Sequence, residues 1–355
     1  MRTSSSLSRV KKSDNQYMKI LITGSAGHLG EGLVRYFGQK GFDPIGLDIK
    51  PSDYTHHVGS ITDIEFVDSC VQGVDAVIHA ATLHKPHVAT HTRQAFVDTN
   101  VSGTLNLLEA ASRHKVRSFI YTSTTSTFGD ALRPAPGKPA VWVTEGLPPR
   151  PKNIYGVTKL AAENLCELFS RNMGLSCIVL RTSRFFPEDD DNRHKREAFD
   201  DDNLKVNELL FRRADLYDMV TAHQCALDKA PELGFGRFII SATSPFRRGD
   251  AEMLAVDTPS VVARYTPAYR EIYEGLGWEM FASIGRVYDN RLARETLGWQ
   301  PEYSFEKAIS FLLDGQDYRS LLARQVGKKG YHDTVFEDGP FPVEGTPEIE
   351  RGHDR

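Results

Sequence analysis

Short apolar blocks recur along the chain from residue 18 onward, and each is followed by a longer stretch whose apolar residues return at helical spacing. The apolar blocks predict strands at 18–23, 43–48, 54–59, 75–79, 117–123 and 175–181. The stretches between them predict helices at 29–40, 63–72, 92–114 and 155–173. Alternation of this kind predicts an α/β fold, with a parallel sheet covered by helices on both faces. Ligands then bind beyond the carboxyl ends of the strands, where Gly24, Asp48, Ala80, Thr124 and Arg181 fall. The segment 185–218 breaks the alternation and is highly charged, so it predicts most of a lid over that site. A returning strand is expected near 236–241, and closing helices at 291–297 and 305–313.

The first strand runs straight into glycines at 24, 27 and 30, and these open a helical pattern. A strand, a glycine turn and a helix start together make a seat for a pyrophosphate. Glycines let the backbone approach closely, and the helix start offers free N–H groups and partial positive charge. Asp48 stands 18 positions after Gly30, at the end of the second strand, where a carboxylate accepts hydrogen bonds from an adenosine ribose. It also repels a 2′-phosphate, so the expected cofactor is NAD rather than NADP, although Lys50 lies close enough to soften that repulsion. The expected architecture is a Rossmann-type doubly wound sheet with a small C-terminal substrate-binding lobe. Its segments are a disordered tail at 1–16, the dinucleotide domain at 17–183, the substrate lobe at 184–327 and a flexible tail at 328–355.

Tyr155 and Lys159 open the helical pattern at 155–173 and are spaced i and i+4, on one helix face. An ammonium beside a phenol favours phenolate and lowers a pKa that ordinarily lies at about 10. Tyr155 is thus a candidate acid/base. The strand at 117–123 leads into Thr124 and Thr125, whose hydroxyls lie about 30 residues upstream of Tyr155 and suit the same substrate oxygen.

With these residues on the page, the chain resembles the extended branch of the short-chain dehydrogenase/reductase superfamily, the NAD-dependent epimerase/dehydratase family. The likeness covers about 18–315. It rests on Gly24, Gly27 and Gly30 in G-x-x-G-x-x-G spacing and on Asp63-Ile64 after the third strand. His79-Ala80-Ala81 follows the fourth strand, Asn100-x-x-Gly103-Thr104 lies on the next helix, and Leu297-Gly298-Trp299-x-Pro301 comes near the end. The resemblance implies a dinucleotide lying along Gly24, Ala26, Gly27, His28, Leu29 and Gly30, with Asp48, Asp63 and Ile64 at its adenosine end. Ala80, Ala81, Thr82, Asn100, Thr122, Tyr155 and Lys159 would complete its site. It also implies Thr124, Tyr155 and Lys159 as the catalytic set, with Thr124 where Ser is commoner, and a homodimer through the helices at 92–114 and 155–173.

Family members oxidise a sugar hydroxyl with bound NAD. Some release the product as dehydrogenases, and others return the hydride as nucleotide-sugar epimerases or dehydratases. Those epimerases usually carry an Asn where this chain has Arg184, and a Gly-x-Gly-x-x-x-Arg-Asp stretch that is missing before 212–218. The Phe186-Pro187-Glu188 ending is more similar to uronate dehydrogenases, which oxidise free sugar acids. The expectation is therefore hydride transfer at a secondary hydroxyl of a sugar or sugar acid. A nucleotide-sugar epimerase or dehydratase is the alternative, and a non-catalytic NAD-sensing scaffold stands against both. His84, Thr125, Arg184 and Arg193 are the candidate substrate contacts, the arginines because a carboxylate wants a cation. The run around Arg193 reads equally well as a solvated charged face.

Composition narrows this little. The chain has 355 residues, 40% hydrophobic and 25% charged, as globular proteins do. A net charge of −4 leaves no basic footprint for nucleic acid. No apolar run approaches the length that spans a bilayer. Cys70, Cys166, Cys177 and Cys225 lack C-x-x-C spacing and read as reduced residues of a cytoplasmic protein. His84, His87 and His91 have near-ligand spacing, but Pro86 interrupts any helix through them, and no metal is expected.

Overall fold

The structure is a computed structural model that describes residues 17–190 and 193–330. The expected tail at 1–16 lies outside these residues, as does the expected C-terminal tail beyond Gly330. In chain order the elements begin β1 (Lys19–Thr23), α1 (His28–Gln39), β2 (Asp43–Asp48), β3 (His57–Val58), α2 (Ile64–Val71) and β4 (Ala76–His79). There follow α3 (Arg93–Val97), α4 (Gly103–Arg113), β5 (Ser118–Thr124), β6 (Val141–Val143), α5 (Ile154–Met173) and β7 (Cys177–Thr182). Next come α6 (Arg193–Ala198), α7 (Asp201–Leu209), α8 (Leu216–Leu233) and β8 (Phe235–Ile240). The chain continues through α9 (Ala251–Leu254), α10 (Thr258–Tyr265), α11 (Tyr269–Leu276) and β9 (Arg286–Tyr288) to α12 (Arg291–Leu297), α13 (Phe305–Leu313) and α14 (Leu321–Val326).

Seven parallel strands form one sheet in the order β3-β2-β1-β4-β5-β7-β8. Strand side chains alternate between faces, and here both faces are apolar. Ile20, Ile22, Ile78, Ile120, Ile178 and Leu180 point to the layer of α1 and α8. Leu21, Val77, Phe119, Tyr121 and Val179 point to the layer of α2, α4 and α5. Pro44 is tolerated in β2 because β3 pairs only with Leu47 and Asp48, so the proline lies on an edge where no N–H is needed. The strand expected at 54–59 shrinks to the two residues of β3.

Two expectations need correction. The segment 185–218 is not all lid: α8 starts at Leu216 and covers the sheet, and β8 is the seventh strand. The returning strand expected near 236–241 is this β8, so the sheet takes in residues from both sides of 183/184. The helix expected at 92–114 is one helical course whose middle turn, Asp98–Ser102, widens to π geometry. There the Thr104 hydroxyl donates to the Asn100 carbonyl at 2.7 Å, the back-bonding that bends helices.

The distal elements are tied to the sheet by two devices. Asp218 on α8 accepts from the N–H groups of Glu302 and Tyr303 at 2.7 and 2.9 Å, while Trp299 is fully buried. The Leu297-Gly298-Trp299-Gln300-Pro301 stretch is thus a docking loop. A second, two-stranded sheet pairs β6 with β9, setting Arg286 opposite Val141 and Tyr288 opposite Val143. Among the described residues no helix is long and apolar enough to cross a membrane.

Candidate active site

The glycine turn is built for close approach. Gly24 has φ +76°, and a Cβ there would stand 2.8 Å from the Ala81 nitrogen. A Cβ at Gly30 would stand 1.9 Å from the Gly24 carbonyl oxygen. Side chains are excluded at both places, so backbone lines the turn. Gly27 precedes α1 and caps it with no side-chain hydrogen bond, leaving N–H groups of the first turn for an anion. Asp48 closes the turn: Oδ2 accepts from the Ala26 N–H at 3.0 Å, and Oδ1 accepts from the Lys50 N–H at 2.9 Å. Asp63 caps α2 by accepting from the Phe66 N–H, and the neighbouring Ile64 side chain is 63% exposed. An exposed isoleucine beside that cap offers a flat apolar surface suited to a base. These residues fit a dinucleotide.

The end of β4 is pinned from behind. The Thr23 hydroxyl accepts from the N–H groups of Ala80 and Ala81, and the His79 ring bridges Thr23 and Thr104. Leu29 packs in the core behind the turn. Asn100 is buried with its amide fully engaged. It accepts from the Thr82 hydroxyl and the Leu83 N–H, and it donates to the Leu83 carbonyl and the Thr158 hydroxyl, at 2.8–3.1 Å. It fixes the loop after β4 to α5 and keeps no amide valence for a ligand.

Thr124 and Tyr155 meet where the end of β5 faces the start of α5, and Lys159 follows one helical turn on, against the same strand. Asn153 caps α5 through the Gly156 N–H, which sets Tyr155 in the first turn. Lys159 is 2% exposed; its Nζ donates to the Thr122 carbonyl at 2.7 Å and lies 4.2 Å from the centroid of the Tyr121 ring. Burial pulls its pKa down to about 7, with Glu163 opposing. Burial pushes the Tyr155 phenol above its ordinary value, and a hydrogen bond with the Thr124 side chain acts the other way. The expected lowering of Tyr155 by Lys159 does not occur, because the ammonium is directed at Thr122 and Tyr121, and desolvation dominates. The Thr122 hydroxyl faces away, 2.8 Å from Nε2 of His223.

A cavity of about 280 Å³ opens beside Thr124. Thr125, Ser126, Asn153, Phe185, Phe186 and Tyr288 are among the residues that line it. Lys85, Arg133, Lys152, Arg184, Arg212 and Arg286 line it, and among the described residues no carboxylate does. His84 lines it too, its ring 5.0 Å from that of Tyr155 and 6.0 Å from that of Phe186. Enclosure by the protein, reinforced by the His87 and Lys159 charges, pulls the His84 pKa down to about 3, so the imidazole is neutral. His87 instead joins His84 in a reciprocal cap of the turn at Lys85–Ala89 and stacks edge-on with His91. Among the described residues no group of His, Cys, Asp and Glu is arranged to hold a metal.

Arg184 lines the cavity but is engaged behind it, pairing with Asp190 and lying 3.7 Å from Glu208. Arg212 and Arg213 also pair with Glu208. Burial raises the Glu208 pKa, but attraction by Arg212, Arg184 and Arg213 outweighs it and holds the carboxyl well below the usual range. Arg193 begins α6, and its side chain lies outside the described residues.

Two features have no signal in the local sequence. Arg286 and Tyr288 reach the cavity from β9, a three-residue strand far along the chain. Glu188, of the Phe-Pro-Glu ending, lies 2.5 Å from Nε2 of His28 and accepts from the N–H groups of Lys329 and Gly330. Lys329 also pairs with Glu31, at 2.5 Å. The start of α1, the lid and the segment after α14 are thereby joined beside the glycine turn.

A model of the NAD dependent epimerase/dehydratase family matches residues 20–208. GDP-mannose 3,5-epimerase 1 of Oryza sativa subsp. indica is 23% identical over 322 residues, covering 87% of this chain and 84% of the rice protein. The crystal structure of a short-chain dehydrogenase/reductase superfamily protein from Agrobacterium tumefaciens with bound NAD superposes with TM-score 0.60 at 23% identity, covering 86% of this chain and 97% of that one. A mutated uronate dehydrogenase superposes with TM-score 0.57 at 19% identity, covering 95% and 99%. At these identities the two structures share the fold.

Proposed function

The chain belongs to the NAD dependent epimerase/dehydratase family, and from that premise we propose that it is an NAD-dependent oxidoreductase acting on a secondary hydroxyl of a sugar acid. The observation that carries this reading is the cavity beside Thr124. At about 280 Å³ it lies at the small end of ligand pockets, suits one sugar ring rather than a nucleoside diphosphate sugar, and among the described residues its charged lining is all cationic. NAD is favoured over NADP because Asp48 stands where a 2′-phosphate would meet a carboxylate. When bound, NAD supplies the hydride acceptor.

Within this reading the protein's groups have distinct tasks. Thr124 orients the substrate oxygen with its hydroxyl. Tyr155 exchanges a proton with that oxygen at Oη. Its raised pKa means the phenol holds its proton in the free protein, so oxidation should quicken as pH rises. Lys159 holds the Thr122 carbonyl, and with it the strand end that carries Thr124. His84, neutral and against the Tyr155 ring, closes the site on one side and excludes water.

Nucleotide-sugar epimerisation is the second reading, favoured by the match along most of GDP-mannose 3,5-epimerase 1. A non-catalytic NAD-sensing scaffold is disfavoured by the intact Thr124, Tyr155 and Lys159. Free thiols at Cys70, Cys166, Cys177 and Cys225 support a reducing, cytoplasmic setting. Exposed Leu105, Val157, Leu168 and Met173 on α4 and α5 support a homodimer through those helices. Incubation with NAD and a panel of hexuronates, neutral hexoses, and UDP- and GDP-sugars tests the reading. Net NADH with hexuronates supports it. Conversion of a nucleotide sugar without net NADH overturns it in favour of the epimerase.

A further inference from the structure

Among the described residues the charges around the cavity do not cancel. Glu208 and Asp190 are the carboxylates paired with Arg184 and Arg212, and Glu208 also serves Arg213. Arg286 makes no ion pair among the described residues, and its Nε is buried without a hydrogen-bond partner among them. The Nε of Arg212 is in the same condition, in a residue only 8% exposed. A buried guanidinium N–H left unpaired is costly, so two of them in residues that line one cavity are an expensive arrangement unless a ligand completes it.

The backbone holds this pair firmly. Arg286 and Tyr288 are two apart on β9, so they share a face of the strand, and both line the cavity. Pairing of β9 with β6 fixes that strand, and the Arg286 guanidinium lies 5.9 Å from the Tyr288 ring. Arg286 is also close enough to Arg212 for their charges to interact. Arginine presents a planar fork that matches a carboxylate with two parallel hydrogen bonds.

We infer that Arg286, with the Nε of Arg212, is the subsite that takes the substrate's anionic group, a carboxylate, while the reacting hydroxyl lies at Thr124 and Tyr155. This rests on the sugar-acid reading above. It assigns the task expected of Arg184 to a residue on β9, since Arg184 is already neutralised by Asp190 and Glu208. The subsite sets specificity: a neutral hexose leaves both Nε groups unpaired and binds poorly.

Calorimetric titration of the wild type, Arg286→Ala and Arg286→Lys, each saturated with NADH so that no hydride is transferred, tests this. The ligands are hexuronates, the matching neutral hexoses, hexose 6-phosphates and UDP. Arg286→Ala should weaken hexuronate binding about ten- to a hundredfold and raise KM far more than it lowers kcat. Arg286→Lys should restore only part, because a point charge cannot bridge two oxygens. Neutral hexose and NAD affinity should not change, and Tm should not fall, since the guanidinium removed is one whose Nε was left unpaired; this separates the effect from misfolding. Hexuronate binding by Arg286→Ala equal to wild type overturns the subsite and leaves the sugar-acid reading standing. Arg286-dependent binding of a hexose phosphate by a wild type that ignores hexuronates keeps an oxyanion subsite and overturns the sugar-acid reading.

Discussion

Replacing Lys159 with Met should make the cofactor-free protein more stable while destroying its activity. The ammonium is almost wholly buried, and its pKa falls from 10.5 to about 7. A folded-state pKa depressed in this way means that the unfolded chain binds the proton more tightly. Stability is then fullest above 10.5 and is lost as pH falls towards 7. At pH 7 the cost of that charge is about 4 kcal/mol. Methionine removes it with a side chain of similar length that suits the face of the Tyr121 ring. Against this, the Thr122 carbonyl loses its donor, which costs about 1–3 kcal/mol. The net expectation at pH 7 is a gain of about 1–3 kcal/mol, a rise of a few degrees in Tm. Turnover should fall about a hundredfold or more. Calorimetric melts of both proteins from pH 7 to pH 10 check this. The wild type should gain stability on the variant as pH rises, and the two curves should meet and cross before about pH 10, where the charge cost has fallen below that of the lost Thr122 contact. A variant less stable at pH 7, with a parallel pH profile, would show that the Thr122 contact outweighs desolvation and refute the reasoning.

Asp48→Ala should narrow the preference for NAD over NADP, measured by titration with each, since the repelling carboxylate is gone; an unchanged ratio would remove Asp48 from cofactor choice. Tyr155→Phe should abolish turnover and leave NAD affinity nearly intact, and Thr124→Ala should cost less, as one orienting hydrogen bond is lost. Retention of more than a few per cent of activity by Tyr155→Phe would mean another acid/base. Glu188→Gln should destabilise the protein by about 1–3 kcal/mol at pH 7, because a neutral amide serves His28 and the 328–330 backbone poorly. Burial raises the Glu188 pKa, but the His28 hydrogen bond and charge outweigh it and hold the carboxyl below its ordinary 4.5. Its contribution is thus present above 4.5 and lost as pH falls through the lower folded value. Urea melts should accordingly show the gap between wild type and variant closing in acid.

The dinucleotide half of the fold was legible because its signals are local. A strand, a glycine turn, a helix and a terminal Asp lie within one βαβ unit, and Tyr155 and Lys159 lie one helical turn apart. Helix α8 was harder to read, although Leu216, Met219, Val220, Ala226, Leu227 and Ala230 do repeat at helical spacing. The small alanines, the buried His223 and the nearby charges at Arg212, Arg213, Asp215 and Asp218 made the segment resemble a lid. The π turn at Asn100 depends on contacts with Leu83 and Thr158 that no local pattern reveals. Arg286 could not be read at all: its strand has three residues, and its partner strand lies 145 residues upstream at Val141. Arg184 was visible, but its pairing with Asp190 and Glu208 appears only once α7 is folded against it.

The central claim is that hydride leaves a sugar-acid carbinol and departs with the nicotinamide. A hexuronate fully deuterated on carbon, incubated with NAD, tests this most directly. The account predicts free reduced cofactor carrying one deuterium, in equal amount to the oxidised sugar acid, with none formed by Tyr155→Phe. An isomerised sugar that keeps all its deuterium, with no free reduced cofactor, would contradict it.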